Sequence, residues 1–275
     1  MVKQFFFFII ILFSVSMAQG SRWKRAEPVN QELHLFHSPY AASLPTAEML
    51  QKGDWEFVVS HRFSPPITEG VDAFWGMDGP ATIRLALGYA VSDKFMLHVG
   101  RTNVMDNIEL QLKYKTWERK SDSLPLVLSV LGGLAYNAEI FDPVKNDARK
   151  FQYYGQAILN TMIDKKIGVG VVPTFLYNAH IYCVDPEYSF TFGSYAQYYV
   201  SPQWSVLAEW NPTVSGWRQD FDSLTLGIEL ETGGHFFKIF LSNNDKVNTT
   251  QYIAGANRDF TNGDFRIGFL ITRTF

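Results

Sequence analysis

Residues 82–89 read Thr82-Ile83-Arg84-Leu85-Ala86-Leu87-Gly88-Tyr89. Large apolar side chains occupy every second position, with small or charged residues between them. This period of two belongs to a strand, with Ile83, Leu85, Leu87 and Tyr89 on one face and Thr82, Arg84, Ala86 and Gly88 on the other. The pattern recurs along the chain. Ile108, Leu110, Leu112 and Tyr114 oppose Asn107, Glu109, Gln111 and Lys113. Ile167, Val169, Val171 and Phe175 oppose Gly168, Gly170 and Thr174. Leu224, Leu226, Ile228 and Leu230 oppose Thr225, Gly227 and Glu229, and Phe265, Ile267, Phe269 and Ile271 oppose Arg266, Gly268 and Thr272.

The alternation predicts about twelve strands, over residues 54–63, 81–91, 94–102, 106–116, 125–137, 150–162, 166–177, 188–200, 203–211, 223–231, 234–242 and 264–275. About ten residues is the length a tilted strand needs to cross a bilayer. A soluble sandwich also alternates, so the connections must discriminate. Those after odd-numbered strands are mostly long: 64–80, 138–149, 178–187, 212–222 and 243–263. Those after even-numbered strands are mostly short, as at Ser92-Asp93, Asp164-Lys165, Ser201-Pro202 and Thr232-Gly233. Two connections depart from the rule, the short one near Val104-Met105 and the longer 117–124. The asymmetry matches an antiparallel up-and-down transmembrane barrel with short inner turns and long outer loops. Apolar-face aromatics then form two girdles. Tyr89, Tyr114, Tyr198, Trp204 and Phe275 fall at the inner rim, and Phe151, Tyr177, Phe190, Trp210 and Phe265 at the outer one.

Composition agrees with this reading. Charged residues make up 19% of the chain, against about a quarter in soluble domains, and aromatics reach 16%. After residue 18 no apolar run is long enough for a membrane helix. At the N-terminus Lys3 precedes an apolar run from Phe5 to Val15 broken only by Ser14, and Ser16-Met17-Ala18 has small residues where a signal peptidase reads. Residues 1–18 are therefore expected to be a signal peptide cut before Gln19. Losing Lys3 moves the formal charge from -3 to -4, too mild to suggest nucleic acid as a partner. Cys183 is the single cysteine, so no intrachain disulfide is expected.

Several stretches resemble a bacterial β-barrel family known as domain of unknown function 5777. They are Lys52-Gly53, Ser60-His61-Arg62-Phe63, Ile83 to Tyr89, Val99-Gly100-Arg101, Leu112-Lys113-Tyr114-Lys115, Gly227 to His235 and Ile267-Gly268-Phe269. They span about residues 50–275 in order. Pro65 and Leu270 stand where the family pattern has Gly and Asn. The resemblance implies an outer-membrane-type barrel and carries no substrate.

The polar faces place Arg62, Arg84, Glu109, Lys113, Lys115, Glu209, Glu229, Lys238 and Arg266 toward the lumen. They read either as a charged pore wall that selects solutes or as mutually neutralised charges bracing a closed interior. Tyr154, Tyr195, Tyr199, Phe236 and Phe240 narrow the same space. No cofactor or metal is expected. His34 and His37 supply at most two ligands, and His180 with Asp185 and Glu187 is a loop cluster. A phospholipase-like barrel needs a His two residues before a Ser, and no histidine here has one. The expectation is a non-enzymatic barrel for passive passage or binding of an unspecified small solute, with a closed structural or interaction barrel as the alternative and an outer-membrane hydrolase as the last. The barrel is expected over residues 53–275. Residues 19–52 form a periplasmic segment that plugs it, lies beneath it or stays free, with a helix expected near Thr46 to Gln51 between Pro45 and Gly53. Asn248-Thr249-Thr250 reads as an ordinary polar outer loop.

The chain closes on Phe275, at the end of an alternating strand that the unfolded protein presents to the barrel-insertion machinery. Deleting Phe275, or replacing it with Asp, should lower the amount of membrane-inserted protein on immunoblots of fractionated cells. Wild-type levels of the deletion would remove this role for the residue.

Overall fold

A computed structural model of the chain describes residues 33–140 and 147–275. The expected signal segment and the basic stretch Arg22-Trp23-Lys24-Arg25 lie outside the described residues. The strands are β1 (Trp55–Phe63), β2 (Ala81–Ser92), β3 (Phe95–Thr102), β4 (Ile108–Arg119), β5 (Leu126–Tyr136), β6 (Phe151–Ile163) and β7 (Ile167–Tyr177). They continue as β8 (Tyr188–Tyr199), β9 (Trp204–Asn211), β10 (Thr213–Gly216), β11 (Ser223–Glu231), β12 (His235–Ser242) and β13 (Arg266–Thr274). Each expected span overlaps its strand. β10 was not anticipated; it is a short extension in the 212–222 connection that pairs with the start of β8, Gly216 opposite Ser189.

Without β10, twelve strands pair antiparallel in chain order, with β9 pairing β8 on one side and β11 on the other. The last strand returns to the first, with Val58 opposite Thr272, and closes the sheet into a barrel. Closure removes both sheet edges, so the backbone groups of the wall are paired within it. The Phe275 N–H donates to the Trp55 carbonyl (3.0 Å), and Trp55 N–H donates back to Phe275 (2.9 Å). These two bonds end the seam. The short turns carry the backbone twist that tight hairpins need: Asp164 and Lys165 both have positive φ (50° and 56°), as do Gly233 and Gly234 (71° and 95°).

Burial along the strands is the reverse of a soluble domain. In β2, Leu85 and Leu87 are 49% and 42% exposed while Arg84 and Ala86, which alternate with them, are each 3% exposed. The same inversion holds in β4, where Leu110 and Leu112 face out and Glu109, Gln111 and Lys113 face in. Such a continuous apolar exterior is stable only against lipid. Aromatics gather at both rims of this band. At the short-turn rim Trp55 meets Tyr89 (ring centroids 4.6 Å), and Tyr114, Tyr198, Trp204 and Phe275 are exposed beside them. At the long-loop rim Phe151, Tyr177, Phe190 and Trp210 are exposed, and Phe175 stacks on Tyr188 at 6.0 Å.

A barrel held closed by these ladders should resist sodium dodecyl sulfate until boiled, and so migrate differently on a gel before and after heating. Leu87→Arg places a cation in the middle of the lipid band. It should cost about 2–4 kcal/mol in urea unfolding from lipid vesicles. An unchanged midpoint would show that Leu87 does not face lipid.

Candidate functional site: the filled lumen

The interior is packed from both ends. Residues 33–53 enter at the short-turn end, where the Tyr199 hydroxyl donates to Leu35 O (3.3 Å). The segment climbs to a tight bend, Tyr40 to Pro45, held by an antiparallel bridge between those two residues. It then descends to the same end, where Lys52 N–H donates to Asp93 (2.7 Å) and Gly53 N–H to Ala90 O (2.9 Å). This segment is a plug, hairpin-like in course. The helix expected near Thr46 to Gln51 does not form. The wall and the plug itself claim its backbone instead: Ala47 N–H donates to Asn160 Oδ1 (2.5 Å) and Thr46 N–H to Pro39 O (2.9 Å). The carbonyls that a helix here would use are taken as well, Pro45 O by the Tyr195 hydroxyl (3.0 Å), Ala47 O by Ser129 (3.2 Å) and Glu48 O by Lys113 (2.5 Å), so no helical ladder forms.

From the long-loop end, the connection after β12 folds inward and carries a short helix, Thr249–Ile253. Here the reading of Asn248-Thr249-Thr250 as an ordinary outer loop is corrected. Asn248 and Thr250 are buried, as are Tyr252 and Ile253, because the loop caps the plug tip instead of projecting into solvent. Gln111 joins the two inserts, donating to Thr249 Oγ1 (2.8 Å) and accepting from the Tyr40 hydroxyl (3.4 Å).

Glu209 of β9 is the central anchor. Its carboxylate accepts the backbone N–H groups of Ala42 (3.0 Å), Ser43 (3.0 Å) and Leu44 (2.9 Å), three successive donors at the bend. The Tyr252 hydroxyl donates to its other oxygen at 2.6 Å. Burial, reinforced by Glu209, pushes the Tyr252 phenol well above its usual value, so it remains a donor. One wall carboxylate thus grips the plug from below and the inserted loop from above. Hydrogen bonds to a charged acceptor contribute about 1.5–3 kcal/mol each, which offsets the cost of burying the charge.

The other expected lumen residues are likewise buried and engaged. Glu229 pairs with Lys238 at 2.8 Å and accepts from Gln197 (2.7 Å), and His37 of the plug lies 2.8 Å from it. Lys238 donates onward to Ala41 O (2.8 Å), Ser38 Oγ (2.9 Å) and Tyr40 O. Arg84 pairs with Glu109 (3.1 Å), which also accepts from Tyr154 (2.7 Å). Lys113 donates to Glu48 O (2.5 Å), Lys115 lies 3.4 Å from Glu118, and Arg266 donates to Asn243 O (2.7 Å). Arg62 donates to Ser242 Oγ (3.1 Å), Asn244 O (2.9 Å) and Ser43 Oγ (3.1 Å). Of the interior aromatics, Tyr195 receives Asn160 (2.6 Å) and donates to Pro45 O (3.0 Å).

Space for the plug comes from missing side chains in the wall. A Cβ on Gly193 would lie 2.6 Å from Leu44, and one on Gly168 would lie 2.8 Å from the Phe36 ring. Apolar plug residues seat on the wall through these gaps, Leu35, Phe36 and Leu44 packing with Leu131, Ile158 and Val172.

Some interior groups escaped the sequence reading. Glu56 and His98 form a buried pair at 2.9 Å, and both alternate with apolar neighbours in their strands, so the same period would have found them. Glu48, which binds the N–H groups of Leu35 (2.6 Å) and Phe36 (2.9 Å), lies in an aperiodic segment that offers no such signal. His34 and His37 go to different acids, Glu48 and Glu229, and so do not converge. His180 stacks on Trp217 with centroids 4.4 Å apart.

These features define a class: a membrane-spanning β-barrel with an apolar exterior and a polar lumen filled by its own chain. The chain belongs to the membrane bound beta barrel domain family, domain of unknown function 5777, whose model matches residues 36–275. No curated relative matches the sequence. Among solved structures it is similar to an outer membrane channel of Pseudomonas putida F1, at 14% identity and TM-score 0.49 over 83% of this chain and 98% of that one. It is also similar to a NanC porin, at 9% identity and TM-score 0.48 over 80% and 98% of the two chains. The third is Omp33 of Acinetobacter baumannii, at 11% identity and TM-score 0.43 over 82% and 99%.

If Glu209 is the anchor, Glu209→Ala should free the bend while leaving the wall intact. Amide hydrogen exchange at residues 42–46 is expected to rise at least tenfold, with strand amides unchanged. Unaltered protection of the bend would move the anchor elsewhere.

Proposed function

We propose that this protein is an outer-membrane barrel, exported through residues 1–18, that works with its lumen sealed at rest. Its role is that of a binding or structural barrel at the membrane, without passive flow of solutes. The observation that carries this reading is the filling of the lumen by residues 33–53 from one end and by the Thr249–Ile253 insert from the other. The charges expected on a pore wall are spent on this filling: Glu209, Glu229, Lys113 and Lys238 all bind plug groups. A solvated path would leave such groups facing water instead.

One observation favours a second, gated reading. Both ends of the plug lie at the short-turn end, so the hairpin can leave by that side without threading past the wall. In that reading a small solute passes only after the plug withdraws. Neither reading is enzymatic.

Single-channel recording in planar bilayers tests the proposal. Wild-type protein should show no steady conductance, and a chain lacking residues 33–52 should conduct. Steady wild-type conductance would overturn the sealed reading. Voltage-dependent openings that become frequent in Glu209→Ala would select the gated one.

A further inference from the structure

Filling the lumen leaves a void of about 20 Å³ between the plug tip and the wall formed by β1, β2, β12 and β13. That volume suits about one water-sized particle. Two guanidinium side chains line it, Arg62 and Arg84, and both are almost completely buried. Around them stand the hydroxyl-bearing residues Tyr40, Ser43, Ser60 and Thr249. Among the described residues no acid is in the lining.

The charge balance at this place is uneven. Arg84 has Glu109 at 3.1 Å. Among the described residues Arg62 has no carboxylate within ion-pair distance. Its hydrogen-bond partners are neutral oxygens, and its guanidinium lies 4.8 Å from the Phe240 ring centre and 5.9 Å from that of Tyr252. The acid that grips the neighbouring bend, Glu209, has its oxygens occupied by the three backbone donors and by Tyr252. In addition, Nε of Arg62 and Nε of Arg84 are buried donors with no acceptor. A buried cation that Glu209 and Asp245 influence only from beyond direct contact, beside donors without acceptors, is a costly arrangement. A water molecule accepts hydrogen bonds but carries no charge, so it answers only half of that cost. A monatomic anion answers both.

We propose that this void binds a small inorganic monovalent anion of halide size, held between Arg62 and Arg84. Sulfate, phosphate and carboxylates are larger than the single small particle that this void suits. The anion is a structural counter-charge that locks the plug tip against the wall, since Ser43 and Arg62 both belong to the contact it completes. The inference rests on the sealed lumen.

The test uses bromide as the probe. The full chain, folded into detergent micelles and crystallised in sodium bromide, should give an anomalous peak at the bromine absorption edge in this void. A well-ordered interior with no bromine peak there would overturn the proposal. If the wild-type protein is nonconducting and lacks the peak, the anion fails while the sealed reading stands. Steady conductance instead removes the sealed reading itself. Ser60→Val gives a second readout, because it fills the void and keeps both guanidinium groups. Wild-type protein should unfold at a higher urea concentration in sodium bromide than in sodium gluconate at equal ionic strength. That difference should vanish in Ser60→Val, and a difference that persists would place the halide effect elsewhere. Should the variant fail to fold, the diffraction result on wild-type protein decides alone.

Discussion

The grip of the Glu209 carboxylate on the N–H groups of Ala42, Ser43 and Leu44 is the contact around which the interior is arranged. A barrel wall solves its own backbone problem, because each strand finds both neighbours. It does not solve the problem of its inward side chains. In this chain those side chains are charged or amide-bearing at most levels, and a lumen of twelve strands is too wide for them to neutralise one another across open space. Something polar must come to them. The plug does so with its backbone, offering N–H groups to Glu209 and carbonyls to Lys113 and Lys238. Irregular backbone suits this task, since its donors and acceptors are not consumed by a helix or a ladder.

The same constraint explains the second insert. The plug tip leaves Glu209 with an unfilled acceptor site toward the long-loop end, and Tyr252 supplies the missing hydroxyl. The segment bearing Tyr252 therefore turns inward and buries Thr250 and Ile253 with it. Gln111 ties the two inserts together from the opposite wall. Closure from both ends is thus one cooperative arrangement centred on a few wall residues. It joins these polar contacts to the apolar packing of Leu35, Phe36 and Leu44 on the wall.

The exterior follows simpler physics. Leucines and valines alternate outward because lipid accepts them, and aromatic rings collect where the apolar band meets the headgroups. These positions need no specific partner. They tolerate variation as long as the band remains continuous, whereas the interior positions are fixed by named contacts. Pro65, a departure from the family pattern, lies beyond the end of β1 in a loop where Gly76 packs directly against its carbonyl, so it interrupts no ladder. Leu270 falls inside β13 with its side chain buried in the lumen beside Val58 and Phe240, part of an apolar patch that supports Tyr40 of the plug.

The wall was legible from residue order alone. Alternation in segments such as Thr82 to Tyr89 is a local property, repeated at every strand, and the unequal connections gave the polarity of the barrel. The inward charges were legible for the same reason, since facing is set by parity along a strand. What the lumen contains was not. Residues 33–53 have no period, and their conformation is chosen by wall side chains that are distant in sequence: Ala42 and Glu209 are separated by 167 residues, His37 and Glu229 by 192. The helix that Pro45 and Gly53 suggested is a local preference, and it yields to hydrogen bonds with Asn160, Tyr195, Ser129 and Lys113 that only the closed barrel brings within reach. Tyr252 and Asn248 look like outer-loop residues by position, and they are buried because the filled barrel offers them partners that solvent-facing loops lack. Sequence determined the membrane barrel through local periodicity. The tertiary structure decided what fills the lumen, because non-local polar contacts exist only once the strands have closed.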